Sequence, residues 1–213
     1  MISLYGYWRS SAAYRVRIAL NLKQIEHELL SVHLVKDGGQ QHSAEYKALN
    51  PNELVPTLVD GDFTLNQSMA ILDYLEHKYP SPALYPQDLQ KRSMVQALAN
   101  DIACDVHPLN NLRVLNYLSD ELSVTAEQKQ AWYQHWIQTG FMALEQRLEK
   151  TAGLYCFGDN VTMADLCLIP QVYNAKRFNV DLSAFPTILR VDENCQQLDA
   201  FKAALPENQP DAT

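Results

Sequence analysis

Three prolines within seven residues, Pro80, Pro82 and Pro86, divide the chain into two stretches whose apolar residues recur with different periods. Proline lacks a backbone N–H and restricts the residue before it, so such a cluster marks a break between elements. Upstream, strand-like runs alternate with helical stretches; downstream the period is helical throughout. The chain of 213 residues therefore reads as two domains, an α/β domain over residues 1–80 and an all-helical domain over 87–213. In the second domain the helical signals run to about residue 205.

Ile2 to Tyr5 reads as a short buried strand and not as the start of a signal peptide, having neither a basic opening nor an apolar stretch. From Ser11, the residues Ala12, Val16, Ala19 and Leu20 fall at helical spacing, with Arg15 and Arg17 flanking the stripe. His27 to Leu34 is predicted as a second strand, ended by the Gly38-Gly39 turn signal. After the turn at Asn50-Pro51, Val55 to Val59 and Phe63 to Leu65 bracket Asp60-Gly61 as a hairpin. Gln67 to Tyr79 reads as a helix with Ile71, Leu72, Leu75 and Tyr79 on one side. The order strand, helix, strand, short helix, strand, strand, helix implies a mixed sheet.

Beyond the prolines, Asp88 to Leu118 is predicted as one helix kinked at Pro108. Thr125-Ala126-Glu127-Gln128 is a capping box that opens a helix with Ile137, Phe141, Leu144 and Leu148 inward. A further helix begins near Thr162, where Thr162 and Asp165 are placed to fix its start, a folding role; residues 186–194 and 195–205 also read as helical. The four cysteines, Cys104, Cys156, Cys167 and Cys195, have no paired spacing. A disulfide framework and a zinc site are therefore not expected, and reduced thiols suit a cytoplasmic protein. With Trp132 and Trp136, the cysteines read as packing residues. A net charge of −8 argues against nucleic acid or an anionic membrane as a general partner. No apolar run approaches the roughly 20 residues needed to cross a bilayer.

Chemistry is concentrated at the strand-to-helix junction Trp8-Arg9-Ser10-Ser11. Two hydroxyls stand where the first N–H groups of a helix lack partners and the dipole favours an anion. From spacing alone, Ser10 or Ser11 reads first as a simple helix cap, a common place for serine. A serine hydrolase is poorly supported, because no Gly-x-Ser-x-Gly elbow occurs.

The run Ser10-Ser11-x-x-Tyr14-Arg15-Val16-Arg17-Ile18-Ala19-Leu20 resembles the zeta-class glutathione transferase signature, Ser-Ser-Cys-x-(Trp/Tyr)-Arg-Val-Arg-Ile-Ala-Leu. That class includes the maleylacetoacetate isomerases. The similarity continues through Lys36-Asp37-Gly38-Gly39-Gln40-Gln41, Leu49-Asn50-Pro51, Val55-Pro56-Thr57-Leu58 and Asn66-Gln67-Ser68. It resumes at Gly158-Asp159-x-Val161-Thr162-Met163-Ala164-Asp165, Pro170-Gln171-Val172 and Arg177-Phe178-x-Val180-Asp181-Leu182, and so covers nearly the whole chain. It departs from the signature at Ala12, where the class often carries cysteine; a mechanism that needs that thiol fails here.

The resemblance implies a thioredoxin-like N-terminal domain and a helical-bundle C-terminal domain, with glutathione as cofactor. It makes Pro56 a cis-proline that leaves the Val55 backbone to pair with the cysteinyl unit. Gln67 and Ser68 would receive the γ-glutamyl carboxylate and Gln41 the glycyl end. A free thiol has a pKa of about 8.5, so a hydroxyl donor is needed to favour thiolate near neutrality. Ser10 is assigned that role, with Ser11 assisting. Arg9 and Arg177 would hold substrate carboxylates through their planar forks. His107, beside Pro108, is either a substrate or glutathione contact or a surface histidine; Asn111 and Arg113 follow one turn later and would line the same cleft.

The activity so implied is isomerisation of maleylacetoacetate to fumarylacetoacetate in tyrosine and phenylalanine breakdown. The thiolate adds to the double bond, the bond rotates, and elimination restores glutathione. Maleylpyruvate isomerisation, a conjugating or dehalogenating transferase, and a non-enzymatic binding module are the alternatives. The expected partners are glutathione, a small dicarboxylic substrate and a second copy of the chain in a homodimer.

Overall fold

The computed structural model describes residues 1–212, which pack into two compact units. The first comprises Met1–Ala83 together with the segment from Gln197 onward, and the second comprises Leu84–Gln196. Sequence reading placed everything after residue 87 in the helical domain. Packing instead groups the C-terminal segment with the α/β unit, because the helix Asp199–Ala204 lies against the helix Ser11–Leu22. Two side chains fasten it: Arg17 Nε donates to Ala204 O at 3.1 Å, and Asn21 Nδ2 to Ala200 O at 3.0 Å.

The α/β unit holds a four-stranded sheet made from β1 (Ile2–Gly6), β2 (His27–Ser31), β3 (Thr57–Asp60) and β4 (Phe63–Asn66) in the order β2-β1-β3-β4. β1 runs parallel to β2 and antiparallel to β3; β3 and β4 form the expected hairpin, in register Asp60↔Phe63, with Gly61 at φ +61°. β2 ends at Ser31 and not at Leu34. Beyond it the chain turns away, and the His33 carbonyl accepts the Gln40 N–H instead. The helices are α1 (Ser11–Leu22), α2 (Ala44–Leu49) and α3 (Ser68–Lys78). α1 is buried on every side from Ala13 to Leu20, so Arg15 and Arg17 are interior residues and not the flanks of a stripe.

The helical unit contains α4 (Leu89–Asn100), α5 (Leu112–Asp120), α6 (Ala126–Thr151), α7 (Met163–Arg177) and α8 (Pro186–Cys195); Asp199–Ala204 is α9 of the first unit. The single kinked helix expected over 88–118 is broken. A π-helical turn, Asp101–Val106, and a 3₁₀ turn, His107–Asn110, separate α4 from α5. Pro108 can donate no bond, and Asn111 then takes an extended conformation and starts α5 afresh. The Thr125–Gln128 capping box forms as expected. At α7 the buried Asp165 carboxylate accepts the Thr162 N–H at 2.7 Å, the Thr162 hydroxyl at 2.9 Å and the Cys156 N–H at 2.8 Å. Cys156, Cys167 and Cys195 are buried as expected of packing residues, but Cys104 is exposed on the π-helical turn. No helix among the described residues is long and apolar enough to cross a membrane.

Candidate active site

Ser10 sits at the N-cap of α1, and both of its sequence readings remain compatible. Its Oγ accepts the Ala13 N–H at 3.2 Å, which is the capping role; its own proton is left to donate elsewhere. Ser11 is the buried first residue of the helix. No acidic residue occupies the first turn, so the positive end of the helix dipole is not internally neutralised. Arg9, half-buried, lays its guanidinium 3.9 Å from the centre of the Trp8 ring.

α3, unlike α1, starts without a side-chain cap. Gln67 is exposed, makes no capping bond, and adopts φ +70°, a left-handed backbone that few residues other than glycine enter at low cost. The first helical residue, Ser68, is buried, and its Oγ accepts a hydrogen bond from Arg15 Nη1 at 3.2 Å. That contact brings the N-terminal half of α1 against the start of α3. It also sets a permanent positive charge against the Ser68 hydroxyl at the start of α3.

The Val55–Pro56 peptide is cis, as the resemblance implied; Ser81–Pro82 is cis as well. Val55 lies outside the sheet ladder, which begins at Thr57. A buried polar network frames this loop. Asn50 Nδ2 donates to Leu54 O at 2.7 Å and to Thr57 Oγ1 at 3.0 Å, while Asn50 Oδ1 accepts from Asn66 Nδ2 at 3.0 Å. The Tyr46 hydroxyl donates to the same Leu54 carbonyl at 2.7 Å. Asn50 thereby ties the Val55 loop to the strand end that leads into Gln67.

Gln41 is buried rather than solvated; its Nε2 lies 3.0 Å from His42 Nε2, and its Oε1 is buried without a hydrogen-bond partner in the structure. Gly39, at φ +100°, passes so close that a Cβ there would stand 2.6 Å from the Gln41 amide. The neighbouring loop is held by His33. Its Nδ1 accepts the N–H groups of Val35 at 3.2 Å and Lys36 at 2.9 Å, and the His33 backbone N–H donates to Gln40 Oε1 at 2.8 Å. Burial, with Lys36 and Arg9 nearby, lowers the imidazole pKa below its ordinary value against the pull of Asp211 and Asp37.

These features suit an anionic, amide-bearing ligand. Two helix starts offer N–H groups to anions, Arg15 adds charge behind one of them, and Gln41 has an unused acceptor. A cavity of about 40 Å³ in the same unit lies elsewhere, beneath Trp8 and between β1, β2 and the C-terminal segment.

The remaining expected residues belong to the helical unit. His107 opens the 3₁₀ turn and is half-buried. Asn111 caps α5 by accepting the Arg113 N–H at 3.1 Å, and the Arg113 side chain is exposed. Arg177 closes α7, exposed, with its guanidinium 5.0 Å from the centre of the Phe178 ring. Phe178 stacks on the buried Tyr133 at 3.8 Å. Sequence reasoning missed Arg15, Arg17, Asn50, His33 and Asp211 as shapers of the site. The signal for the two arginines was present, since they stand inside a helix that is otherwise almost wholly apolar or small.

Comparison with known proteins accords with this geometry. Residues 4–83 match the family model for the glutathione S-transferase N-terminal domain. A probable maleylacetoacetate isomerase of Vibrio cholerae is 56% identical over 209 residues, covering 98% of this chain and 97% of that one. The holo structure of a maleylpyruvate isomerase, a bacterial zeta-class glutathione S-transferase, superposes with a TM-score of 0.96 at 46% identity, covering 99% and 100% of the two chains. A maleylacetoacetate isomerase from Methylobacterium extorquens AM1, solved with malonate and glutathione bound, gives 0.93 at 42% identity, with 99% of each chain covered.

Proposed function

We propose for this chain, which belongs to the zeta class of the glutathione S-transferase family, that it converts maleylacetoacetate to fumarylacetoacetate with glutathione as cofactor. The observation that carries the reading is the pairing of Ser10 at the start of α1 with Ser68 at the uncapped start of α3, the two helices being joined through Arg15. When bound, glutathione supplies a thiol nucleophile for reversible addition to a conjugated double bond.

The chain's own residues supply the electrostatics. Ser10 donates its hydroxyl proton to the sulfur and, with the α1 dipole and Ser11, favours the thiolate. Gln67 and Ser68 hold the γ-glutamyl carboxylate, the Val55 backbone aligns the cysteinyl unit, and Gln41 meets the glycyl end. Arg9 and Arg177 are assigned to substrate carboxylates, which planar guanidinium groups bind in bidentate fashion. His107, Asn111 and Arg113 are assigned supporting contacts to glutathione or substrate. Residue 12 is alanine, so no cysteine at that position takes part.

Maleylpyruvate is the second reading, favoured by the activity for which one close structural relative is named. Homodimerisation and a cytoplasmic location belong to the same proposal; four cysteines of which none is in a disulfide suit a reducing compartment. The test is an isomerisation assay with each cis substrate, with and without glutathione, in which total free thiol is followed. Trans product at constant thiol supports the isomerase. Loss of thiol matched to product identifies a conjugating transferase instead, and sedimentation near the mass of one 24.2 kDa chain overturns the dimer.

A further inference from the structure

The turn that delivers Arg9 and Ser10 is gripped from both sides by residues that play no part in the reaction described above. Within it, the Ser10 N–H donates to Tyr7 O at 2.9 Å. From inside α1, Arg17 Nη2 donates to Trp8 O at 3.0 Å. From the C-terminal segment, the Asp211 carboxylate accepts the Trp8 N–H at 3.1 Å, and the same oxygen accepts the Ser31 hydroxyl at 3.0 Å. Both backbone polar groups of Trp8 are thus claimed, the C=O by a cation and the N–H by an anion, from opposite ends of the sequence.

We propose that Asp211 is a positioning residue for the reaction, fixing the Trp8 peptide so that Ser10 and Arg9 stand where the thiolate and the substrate carboxylate need them. The inference rests on the isomerase reading. Trp8 is the lever: it is buried, its ring carries the Arg9 guanidinium at 3.9 Å, and its backbone lies two residues before Ser10. A charge-assisted bond to its N–H defines the turn more firmly than a neutral one would. The C-terminal segment is itself anchored to α1 by Arg17 Nε on Ala204 O, and Gln209 Nε2 folds its tail back onto Ala203 O at 2.9 Å and Leu205 O at 2.7 Å. Asp211 is therefore held by a packed segment and does not merely follow the loop.

The adjoining cavity of about 40 Å³, lined by Trp8, Arg17, Ser31 and Asp211 among others, makes the idea testable without unfolding the protein. It has room for water, so a shortened residue 211 leaves the Trp8 N–H hydrated and the fold intact. What is lost is definition of the turn, and a displacement of about 1 Å at a reacting group costs on the order of a hundredfold in rate.

The experiment compares wild type with Asp211→Ala, Asp211→Asn and Ser31→Ala. It measures kcat and KM, the thiol pKa of bound glutathione, and hydrogen exchange of the Trp8 amide without ligand. For Asp211→Ala we expect faster Trp8 exchange, a raised thiol pKa and a fall in kcat of tenfold or more, with the melting temperature nearly kept. Asp211→Asn retains an acceptor and should recover most of the loss, whereas Ser31→Ala should change little. Unchanged Trp8 exchange, or an unchanged thiol pKa and kcat in an active Asp211→Ala enzyme, overturns the positioning role alone. A wild type that leaves the glutathione thiol at its ordinary pKa overturns the isomerase reading, and this proposal with it.

Discussion

Arg15 and Ser68, 53 positions apart in sequence, meet in the interior of the α/β unit, where Arg15 Nη1 donates to Ser68 Oγ at 3.2 Å. A buried guanidinium is costly to desolvate, and taking away one member of a buried polar cluster usually costs stability. Here the charge stands at the start of α3, where the helix dipole also favours an anion. Arg15→Met should lower the melting temperature and, in the protein that remains folded, weaken glutathione binding about tenfold or more, the scale of one charge-assisted hydrogen bond. Arg15→Lys should not restore the affinity, because an ammonium on a flexible stem does not reproduce the fork. Calorimetric titration well below the melting transition separates the two effects; unchanged affinity in a destabilised variant would make Arg15 a folding residue.

Ser10 carries two roles that one substitution removes together and a second can part. Ser10→Ala deletes the cap on Ala13 N–H, at a cost of about 1 kcal/mol in stability, and deletes the donor to sulfur, with a further loss of roughly 10²–10³ in turnover. Ser10→Asp restores a good cap but offers no proton and sets a negative charge beside the thiolate. Its stability should return to near wild type while turnover stays low. A Ser10→Asp enzyme that turns over normally would shift the donor role to Ser11.

The sequence revealed the fold and the outer members of the site unevenly, for physical reasons that differ by element. The hairpin, α3 and the α6 capping box were legible because local signals determine them: Asp60-Gly61, the Ile71/Leu72/Leu75 spacing, and Thr125 with Gln128. Ser10, Gln67 and Ser68 could be placed because helix starts advertise themselves. The break between α4 and α5 was not legible, since Pro108 announces an interruption but not the π-helical turn before it. Nor was the return of α9 to the first unit, which depends on long-range packing against α1 and on a backbone acceptor, Ala204 O, that carries no sequence signature. Asp211 was invisible for the same reason: its partner is a main-chain N–H that any residue but proline at position 8 would supply.

Asn50 should act as the joint between the Val55 loop and α3. Its amide satisfies Leu54 O, Thr57 Oγ1 and Asn66 Nδ2 in a setting where the asparagine itself is 1% exposed, so no solvent stands ready to replace it. Asn50→Ala leaves those groups short of partners and should cost about 1–3 kcal/mol in urea unfolding. Glutathione affinity should weaken in the same variant, because both Val55 and the approach to Gln67 lose their tie. Asn66→Ala removes only one of the bonds, and a smaller effect on both measures is expected. Equal effects from the two substitutions would show that the Asn50–Asn66 bond alone matters.

His33 gives the protein a pH dependence whose sign follows from its hydrogen bonds. Nδ1 accepts two backbone N–H groups, so it must be unprotonated in the folded chain, and burial lowers the imidazole pKa below the ordinary 6.5. Above about pH 7 the imidazole is neutral in both folded and unfolded chains, and the contribution of His33 is fully present. As pH falls through 6.5 the unfolded chain takes up a proton that the native chain refuses, so native stability declines from there down to the lowered folded value. Protonation of the native imidazole then expels the Val35 and Lys36 N–H groups and loosens the loop that leads into Gln41. Urea midpoints and glutathione affinity should both be flat from pH 8 to 7 and fall as pH drops below about 6.5. His33→Asn sets an amide oxygen near the place of Nδ1, an acceptor that does not titrate, and should flatten much of that fall. If wild type and His33→Asn decline in parallel across this window, other groups govern the pH response and His33 has no share in it.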